Sequence, residues 1–189
     1  MAWLNEEELK KLNFKKIGKD VLISNKAAIY NPETVSIGDN SRIDDFCVIS
    51  GKVTIGRNVH IAVFNNVAGG DAGVELDDFS GLAYSCNVFA QSDDYSGSSL
   101  TNPTVPDKYK LEIKKAVRVG RHCIVGANSI IFPGVEMKDG CSLGSMSMLT
   151  KSTKPWGVYF GVPAKRLKNR KQEILKLEAE YLAESRFND

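Results

Sequence analysis

Residues 37–67 of the chain read IGDNSRIDDFCVISGKVTIGRNVHIAVFNNV, with an aliphatic residue at every sixth position. A period of six matches neither the repeat of a helix, about 3.6 residues, nor the two-residue alternation of a strand. It is typical of short strands joined by tight corners, each strand sending one aliphatic side chain into a shared interior. The pattern therefore predicts stacked coils that bury a continuous aliphatic column.

The same period extends through most of the chain. It also includes Ile17, Ile23, Ile29, Leu76, Leu82, Val88, Val119, Val125, Ile131, Met137, Leu143 and Leu149. Four residues after the aliphatic position a small or apolar residue often follows, as at Val21, Ala27, Ser41, Val59 and Ser129. The four cysteines, Cys47, Cys86, Cys123 and Cys141, all occupy this position. We therefore expect buried, reduced thiols rather than a disulfide framework or a zinc site.

Composition limits the possible classes of protein. The chain has 189 residues, 42% of them hydrophobic and 25% charged, which is a globular profile and not a disordered one. No apolar stretch approaches the roughly 20 residues that a membrane-spanning helix needs. The net charge of +2 gives no reason to expect a nucleic-acid partner. The N-terminal residues are acidic and lack an apolar signal core, so a cytoplasmic location is expected.

The repeat, from about Ile17 to Lys168, resembles the bacterial hexapeptide-repeat family. The resemblance implies an all-β fold, a left-handed parallel β-helix of hexapeptide repeats with three hexads in each triangular coil. The left hand is implied by the resemblance alone, because general topology rules favour right-handed parallel crossovers.

Two further motifs extend the resemblance. The repeat breaks after Val88, and the inserted Ser92–Gly97 segment, SDDYSG, looks like sugar acetyltransferases of surface-polysaccharide synthesis. Near the end, Gly161–Lys165 reads GVPAK and matches the family's Gly-x-Pro-Ala-Lys. The resemblance implies an acetyl-CoA-dependent enzyme, with acetyl-CoA as co-substrate and no metal.

The chain divides into three predicted segments. Residues 1–16 form a helix and lead-in, residues 17–164 form the β-helix with an active-site loop at 89–116, and residues 165–189 form a C-terminal helix. Asn5 and Glu8 suit a capping box in the first helix. We expect both helices to cover exposed β-helix ends. One apolar stripe of the second helix contains Leu167, Ile174, Leu177 and Tyr181.

Acyl transfer to an alcohol needs a base for the hydroxyl proton, and histidine is the usual one. The chain has two, His60 and His122. We predict His60 as the base and keep His122 as the alternative, because its surroundings resemble a family stretch whose histidine is generally not the base. Galactoside- and maltose-type acetyltransferases supply their catalytic histidine from the loop, where this chain has Asp93 and Asp94.

The loop carboxylates leave three mechanisms open. Asp93 or Asp94 orients the His60 ring, or one of them is itself the base, or the acceptor is an amine that needs little help. Tyr95 is predicted to bind substrate. No Ser or Cys lies in a nucleophile motif, so direct transfer in a ternary complex is expected.

The resemblance also implies a groove for coenzyme A between adjacent subunits, against the later coils. Lys165 and Lys168 would meet its phosphates as point charges. The remaining residues that match the family's coenzyme-binding positions are Gly126, Ala127, Gly144, Ser145, Thr150 and Lys151.

The leading interpretation is an acetyltransferase acting on a sugar hydroxyl, of the O-antigen or capsule type. The alternative is an N-acetyltransferase for a nucleotide-linked amino sugar, since the family contains both kinds. A carbonic anhydrase on the same fold needs three histidines at one zinc, which disfavours it here, and a non-catalytic scaffold is the remaining class. A homotrimer acting on a sugar or nucleotide-sugar is expected.

Overall fold

A computed structural model describes residues 2–185, most of which form a parallel β-helix with three flat sides. Side 1 contains β1 (Lys16–Ile17), β4 (Val35–Ile37), the second half of β6 (Val48–Ile55), the second half of β8 (Asn66–Leu76), β13 (Val117–Val119) and β16 (Glu136–Met137). Side 2 contains β2 (Leu22–Ile23), β5 (Arg42–Ile43), β7 (His60–Ile61), β9 (Gly81–Leu82), β14 (Ile124–Val125), β17 (Ser142–Leu143) and β19 (Gly157–Gly161). Side 3 contains β3 (Ala28–Tyr30), the first halves of β6 and β8, β10 (Asn87–Phe89), β15 (Ile130–Ile131) and β18 (Met148–Leu149).

The aliphatic positions of the hexads stack in register, which confirms the interior that the period predicts. On side 2 the column of paired positions is Ile23, Ile43, Ile61, Leu82, Val125, Leu143 and Tyr159. All seven are buried, and Tyr159 begins a further coil that the period did not include. Ile17 is 37% exposed because it lies in the first coil, at the end of the stack. We number the coils from 1, which begins at Ile17, to 7, which contains Tyr159.

Two of the corners repeat a left-handed backbone conformation from coil to coil. The first corner, between sides 1 and 2, has Asp20, Asn40, Asn58, Phe79, His122, Gly140 and Trp156 at this position. The second corner, between sides 2 and 3, has Phe46, Phe64, Ser85, Asn128 and Met146. The small residue that follows each corner points inward, and all four cysteines are buried as predicted.

Helix α1 (Glu6–Lys11) agrees with the predicted N-terminal helix. The Asn5 side chain accepts a hydrogen bond from the Glu8 amide, and the Glu8 side chain accepts one from the Asn5 amide, so the capping box is formed. Leu4 and Leu9 pack against the core, and Leu4 N donates to Ile23 O. The segment therefore covers the first coil.

The predicted C-terminal helix from Lys165 is wrong in its first part. Residues 164–169 form β20 (Ala164–Asn169), which pairs antiparallel with β19, and α2 (Ile174–Ser185) begins later. The chain reverses at Gly161, which has φ +105°, so β20 pairs with the last strand of side 2. Leu167 accordingly belongs to a strand and not to the predicted helical stripe. Residues 186–189 of the predicted segment, and Met1 of the first, lie outside the described residues.

Helix α2 packs along the first corner rather than over a coil end. Asn58 Nδ2 donates to the Tyr181 hydroxyl at 3.0 Å, and the Tyr181 ring meets Phe79 edge-on with centroids 6.1 Å apart. Within residues 2–185 no helix has the length and apolar character needed to cross a bilayer.

The repeat is interrupted between β10 and β13, as the sequence predicts. β11 (Gln91–Ser92) and β12 (Ile113–Lys114) pair antiparallel and form the base of the excursion, which also contains a short 3₁₀ helix at Asp107–Tyr109. The other 3₁₀ helix, Pro32–Thr34, links coils 1 and 2. The loop thus leaves the prism from side 3, at coil 4.

Candidate active site

His60 lies on the outer surface of side 2, in coil 3, and its imidazole is half exposed. The parallel register sets it beside Arg42 in the coil below and Gly81 in the coil above. His60 Nε2 is 2.9 Å from Asp44 Oδ2, in a hydrogen bond between adjacent coils. A carboxylate on one ring nitrogen fixes the imidazole and leaves the other nitrogen for proton transfer.

Asp44 is buried, and it takes the place in this pair that the sequence interpretation gave to Asp93 or Asp94. It also accepts a 2.6 Å hydrogen bond from Arg42 Nε. Burial acts against ionisation, but the hydrogen bonds and charges of Arg42 and His60 hold the pKa of Asp44 below its usual value. The six-residue register could have found this residue, because it sets Arg42 beside His60 and thereby brings Asp44 near the ring.

The loop carboxylates do not contact His60 within one protomer. His60 is on side 2, whereas Asp93 and Asp94 follow β11, which leaves side 3. Within one protomer, Asp44 of the coil below bonds to the His60 ring instead. That a loop carboxylate orients the ring stays a prediction, which now requires the loop of a neighbouring copy.

Asp94 organises its own loop. Its Oδ2 accepts from Ser96 Oγ at 2.9 Å, from Ser98 N at 3.1 Å and from Ser99 N at 3.2 Å, and its Oδ1 accepts from Ser96 N at 2.9 Å. The hydrogen bonds from the Ser96 amide and hydroxyl lower the pKa of Asp94. Asp93 accepts one longer bond, from Asn102 N at 3.3 Å, and Tyr95 is 89% exposed. Asp93 and Tyr95 are therefore more available than Asp94 to a bound molecule.

His122 has a structural environment. It occupies the first corner, is 7% exposed and stacks on Phe79 with ring centroids 5.4 Å apart. Its Nε2 lies 2.9 Å from Glu178 Oε2 of α2, and Glu178 also pairs with Arg121. Burial, together with the charges of Arg121 and Arg170, lowers the pKa of His122. These contacts attach α2 to the prism, and they weaken the alternative that His122 is the base.

A cleft of about 530 Å³ separates side 2 from α2, with His60 at its rim. Ile124, Leu177 and Tyr181 contribute apolar surface to it. The buried Ser80 hydroxyl also lines this cleft and has no hydrogen-bond partner among the described residues. Arg170 closes one end, where its guanidinium donates to the carbonyl oxygens of His122 and Gly140.

The predicted coenzyme-binding glycines Gly126 and Gly144 have close neighbours that leave little room for a side chain. A Cβ at Gly126 would lie 2.4 Å from Ser145 N, and a Cβ at Gly144 would lie 2.5 Å from the Phe160 ring. Ala127 and Ser145 flank the second corner in coils 5 and 6. The backbone and the small side chains beside this corner leave room for an extended ligand to lie along it.

Thr150, Lys151, Lys165 and Lys168 are all exposed at the last coils. The pairing of β20 with β19 shifts register between Val158 and Tyr159. The shift adds one residue to β20 and so reverses its alternation of sides. Lys165 pairs with Phe160 and Lys168 pairs with Val158, and both partners face outward from β19. The two ammonium groups therefore share one surface, as a phosphate site requires.

The buried thiols give no nucleophile. Burial raises the pKa of Cys47 to about 11 and also raises that of Cys86. Cys123 and Cys141 lie side by side one coil apart, as predicted, and their contact together with burial raises the pKa of Cys123. Thiolates rather than thiols attack thioesters, so Cys47, Cys86 and Cys123 are inert. The contact with Cys123 lowers the pKa of Cys141, but Cys141 is fully buried and out of reach of a substrate. Among residues 2–185 no group of three His, Cys, Asp or Glu side chains is arranged to hold a metal ion.

Two family models match the repeat on both sides of the loop. Residues 34–69 match "Bacterial transferase hexapeptide (six repeats)", and residues 116–150 match "Hexapeptide repeat of succinyl-transferase". A dTDP-4-amino-4,6-dideoxy-D-glucose acyltransferase from Escherichia coli is 36% identical over 182 residues, which are 95% of this chain and 94% of that protein. The chain belongs to the hexapeptide-repeat acyltransferase family.

Solved structures of this family agree with the fold. A variant of AntD, an N-acyltransferase from Bacillus cereus, was crystallised with dTDP-4-amino-4,6-dideoxyglucose and coenzyme A. It is 48% identical to this hexapeptide-repeat acyltransferase, with a TM-score of 0.96 over 97% of this chain and 98% of that one. The predicted left-handed parallel β-helix is thereby confirmed. A maltose O-acetyltransferase from Clostridium difficile, at 20% identity and a TM-score of 0.56 over 88% of this chain and 75% of that one, shares the fold alone.

The relatives favour one of the two acceptors considered from the sequence. The Escherichia coli protein and AntD are both described with amino sugars carried on dTDP. They support the alternative, acyl transfer to a nucleotide-linked amino sugar, better than the leading interpretation, acetylation of a sugar hydroxyl.

Proposed function

We propose that this protein transfers an acyl group from acyl-CoA to the amino group of a dTDP-linked 4-amino-4,6-dideoxy sugar. The observation that carries the proposal is the 48% identity to AntD over 97% of the chain. AntD has been crystallised with dTDP and 3-hydroxybutyryl-CoA as well, so the acyl group need not be acetyl.

In the reaction, the amine nitrogen attacks the thioester carbon, the new N–C bond forms and the C–S bond breaks. The nitrogen loses a proton and the departing sulfur gains one. A sugar amine is a better nucleophile than a hydroxyl, so its base has less to do than in O-acetylation. This chemistry suits a site without a buried, strongly activated histidine.

We propose His60 and Asp93 as the proton-handling residues, with Asp94 holding the loop that carries Asp93 and Tyr95. The support for His60 is its hydrogen bond to Asp44. The support for Asp93 is that, within residues 2–185, its carboxylate accepts a single long bond, from Asn102 N at 3.3 Å. His60 and Asp93 lie on different sides of one protomer, so a site that uses both must be formed between two copies. A homotrimer would provide this arrangement.

The shared site has a specific test. His60→Ala and Asp93→Asn variants should each lose about 100-fold or more of turnover, as expected when a positioned acid or base is removed. Co-expressed and purified as mixed oligomers, they should recover part of the activity, because some interfaces then contain both native residues. Mixed oligomers as inactive as either variant would contradict a shared site, and sedimentation would show whether the protein is a trimer.

Coenzyme A is proposed to lie along the second corner of coils 5 and 6, by Gly126, Ala127, Gly144 and Ser145. Thr150 and Lys151 lie at the same end of the prism.

The phosphates of coenzyme A would meet Lys165 and Lys168. Lys168→Ala should raise KM for acetyl-CoA but leave KM for acetyl-pantetheine, which lacks the nucleotide, unchanged. An equal rise in KM for both donors would contradict the proposal that Lys168 binds the phosphates.

The assay of the reaction itself is direct. Purified protein, acetyl-CoA or 3-hydroxybutyryl-CoA, and dTDP-4-amino-4,6-dideoxyglucose should release free thiol and give a product heavier by one acyl group. The matched control is dTDP-glucose, which has hydroxyls but no amine and should release none. Thiol release with dTDP-glucose alone would favour O-acylation and contradict the proposal.

A further inference from the structure

The second corner carries an exposed pair of stacked aromatic rings. Phe46 and Phe64 occupy equivalent positions in coils 2 and 3, with ring centroids 5.2 Å apart and planes 10° from parallel. Their exposed fractions are 51% and 58%. Lys26 caps the lower face of the pair, with its ammonium 5.5 Å from the Phe46 centroid. The upper face of Phe64 points toward coil 4.

Phenylalanine is an unfavourable residue for these positions. Phe46 and Phe64 have φ of 60° and 64°, a region that Asn, Asp and Gly enter at lower cost than bulky residues. Asn128 occupies the equivalent position in coil 5. The first corner also carries rings in this conformation, Phe79, His122 and Trp156, but Phe79 stacks on His122 and Tyr181 of α2 packs against Phe79. The Phe46–Phe64 pair receives no such cover from a ring within residues 2–185, so strain and exposure at this point indicate a site for another molecule.

The position of the Phe46–Phe64 pair along the corner indicates which molecule binds there. Coil 4 has Ser85 at the equivalent position, so the stack of rings stops at Phe64 and leaves a small residue above it. Coils are spaced about 4.8 Å apart. Gly126 and Gly144, two and three coils above Phe64, are therefore about 10 to 14 Å away along the corner. The loop that carries Asp93 leaves coil 4, which lies between the coil of Phe64 and the coil of Gly126.

We propose that Phe64, supported by Phe46, is the stacking platform for the thymine base of the dTDP-sugar. This inference rests on the proposed function. A flat pyrimidine would continue the stack above Phe64, where Ser85 leaves room, and base–aromatic stacking is the common way to hold a base. The diphosphate and sugar would then extend up the corner toward coils 4 and 5, where the acyl donor is proposed to lie. One corner would thus align both substrates end to end.

Kinetics separate base stacking from other roles of the ring. Phe64→Ala should raise KM for the dTDP-sugar by about 5- to 150-fold, the range found when a stacking ring is removed. KM for acyl-CoA should stay the same. The control variant is Tyr30→Ala, which removes a ring of similar exposure from side 3 and should change neither constant. An unchanged KM for the dTDP-sugar in Phe64→Ala would overturn the platform.

A Phe64→Trp variant gives a spectroscopic readout. Its added fluorescence, measured against the wild-type background of Trp3 and Trp156, should be quenched by dTDP but not by inorganic pyrophosphate. Quenching by neither would overturn the platform. If Phe64 instead packs against a second copy of the chain, Phe64→Ala will change the sedimentation coefficient and affect both substrates alike, which also overturns it.

Failure of the platform can be told from failure of the proposed function. If wild-type protein acylates the dTDP-amino sugar while Phe64→Ala keeps its KM, the function stands and the base lies elsewhere. If the wild-type protein binds no dTDP by calorimetry and acylates no dTDP-amino sugar, both proposals are overturned.

Discussion

Replacing Ile61 by alanine tests the stacked interior at its centre. Ile61 is fully buried, and the parallel register sets it between Ile43 below and Leu82 above. The substitution removes three carbon atoms, which at about 0.8 kcal/mol for each buried methylene amounts to about 2.4 kcal/mol. The cavity left between rigid coils adds to this, so the expected loss of unfolding free energy is about 2–5 kcal/mol.

The matched control is Ile17→Ala, the same change at the first residue of the same repeat. Ile17 is 37% exposed and has a coil on one side only, so its loss should be about 1.5 kcal/mol, with no enclosed cavity to add to it. Denaturant unfolding followed by far-ultraviolet circular dichroism measures both variants. Equal losses at the two positions would refute the claim that the six-residue period marks a column buried by neighbouring coils.

Three further predictions concern pH, thiols and the second corner. Because the pKa of His122 is lowered in the folded protein, the unfolded chain takes up a proton first on acidification. Stability should therefore fall as pH drops below about 6.5, and His122→Asn should lose this part of the dependence; an identical melting-temperature profile for both proteins would contradict the assignment. The four buried cysteines should not react with a thiol reagent until denaturant is added, and rapid labelling of native protein would refute their burial. Gly126→Ala should lower the melting temperature, since its Cβ would meet Ser145 N at 2.4 Å, and an unchanged melting temperature would mean that the coils can separate there.

The sequence contains most of the information that specifies the prism. One aliphatic residue every six positions sets the inward side chains, and the order of the three hexads within each coil sets which of them pair, as Ile43, Ile61 and Leu82 do. The interruption after Val88 also predicts the loop, because no hexad continues there. These features are local and repeated, so they can be predicted from the sequence of a single chain before any tertiary contact is known.

The errors concern contacts that the repeat does not encode. Residues 164–169 form a strand because β19 offers it hydrogen bonds, although Leu167 fits a helical period with Ile174. The partner of His60 is Asp44, which a coil-by-coil register could identify but which a search of nearby loops could not. His122 is held by Glu178 of α2, and nothing in the repeat predicts where that helix packs.

The proposed function is the formation of an amide on a dTDP-linked amino sugar. The most direct measurement is mass spectrometry of the product formed from acyl-CoA and dTDP-4-amino-4,6-dideoxyglucose, before and after treatment with alkaline hydroxylamine, which cleaves oxygen esters and leaves amides intact. We expect a product that carries one acyl group and survives hydroxylamine. An acyl group released by hydroxylamine, or no acylated product from any acyl-CoA, would contradict it.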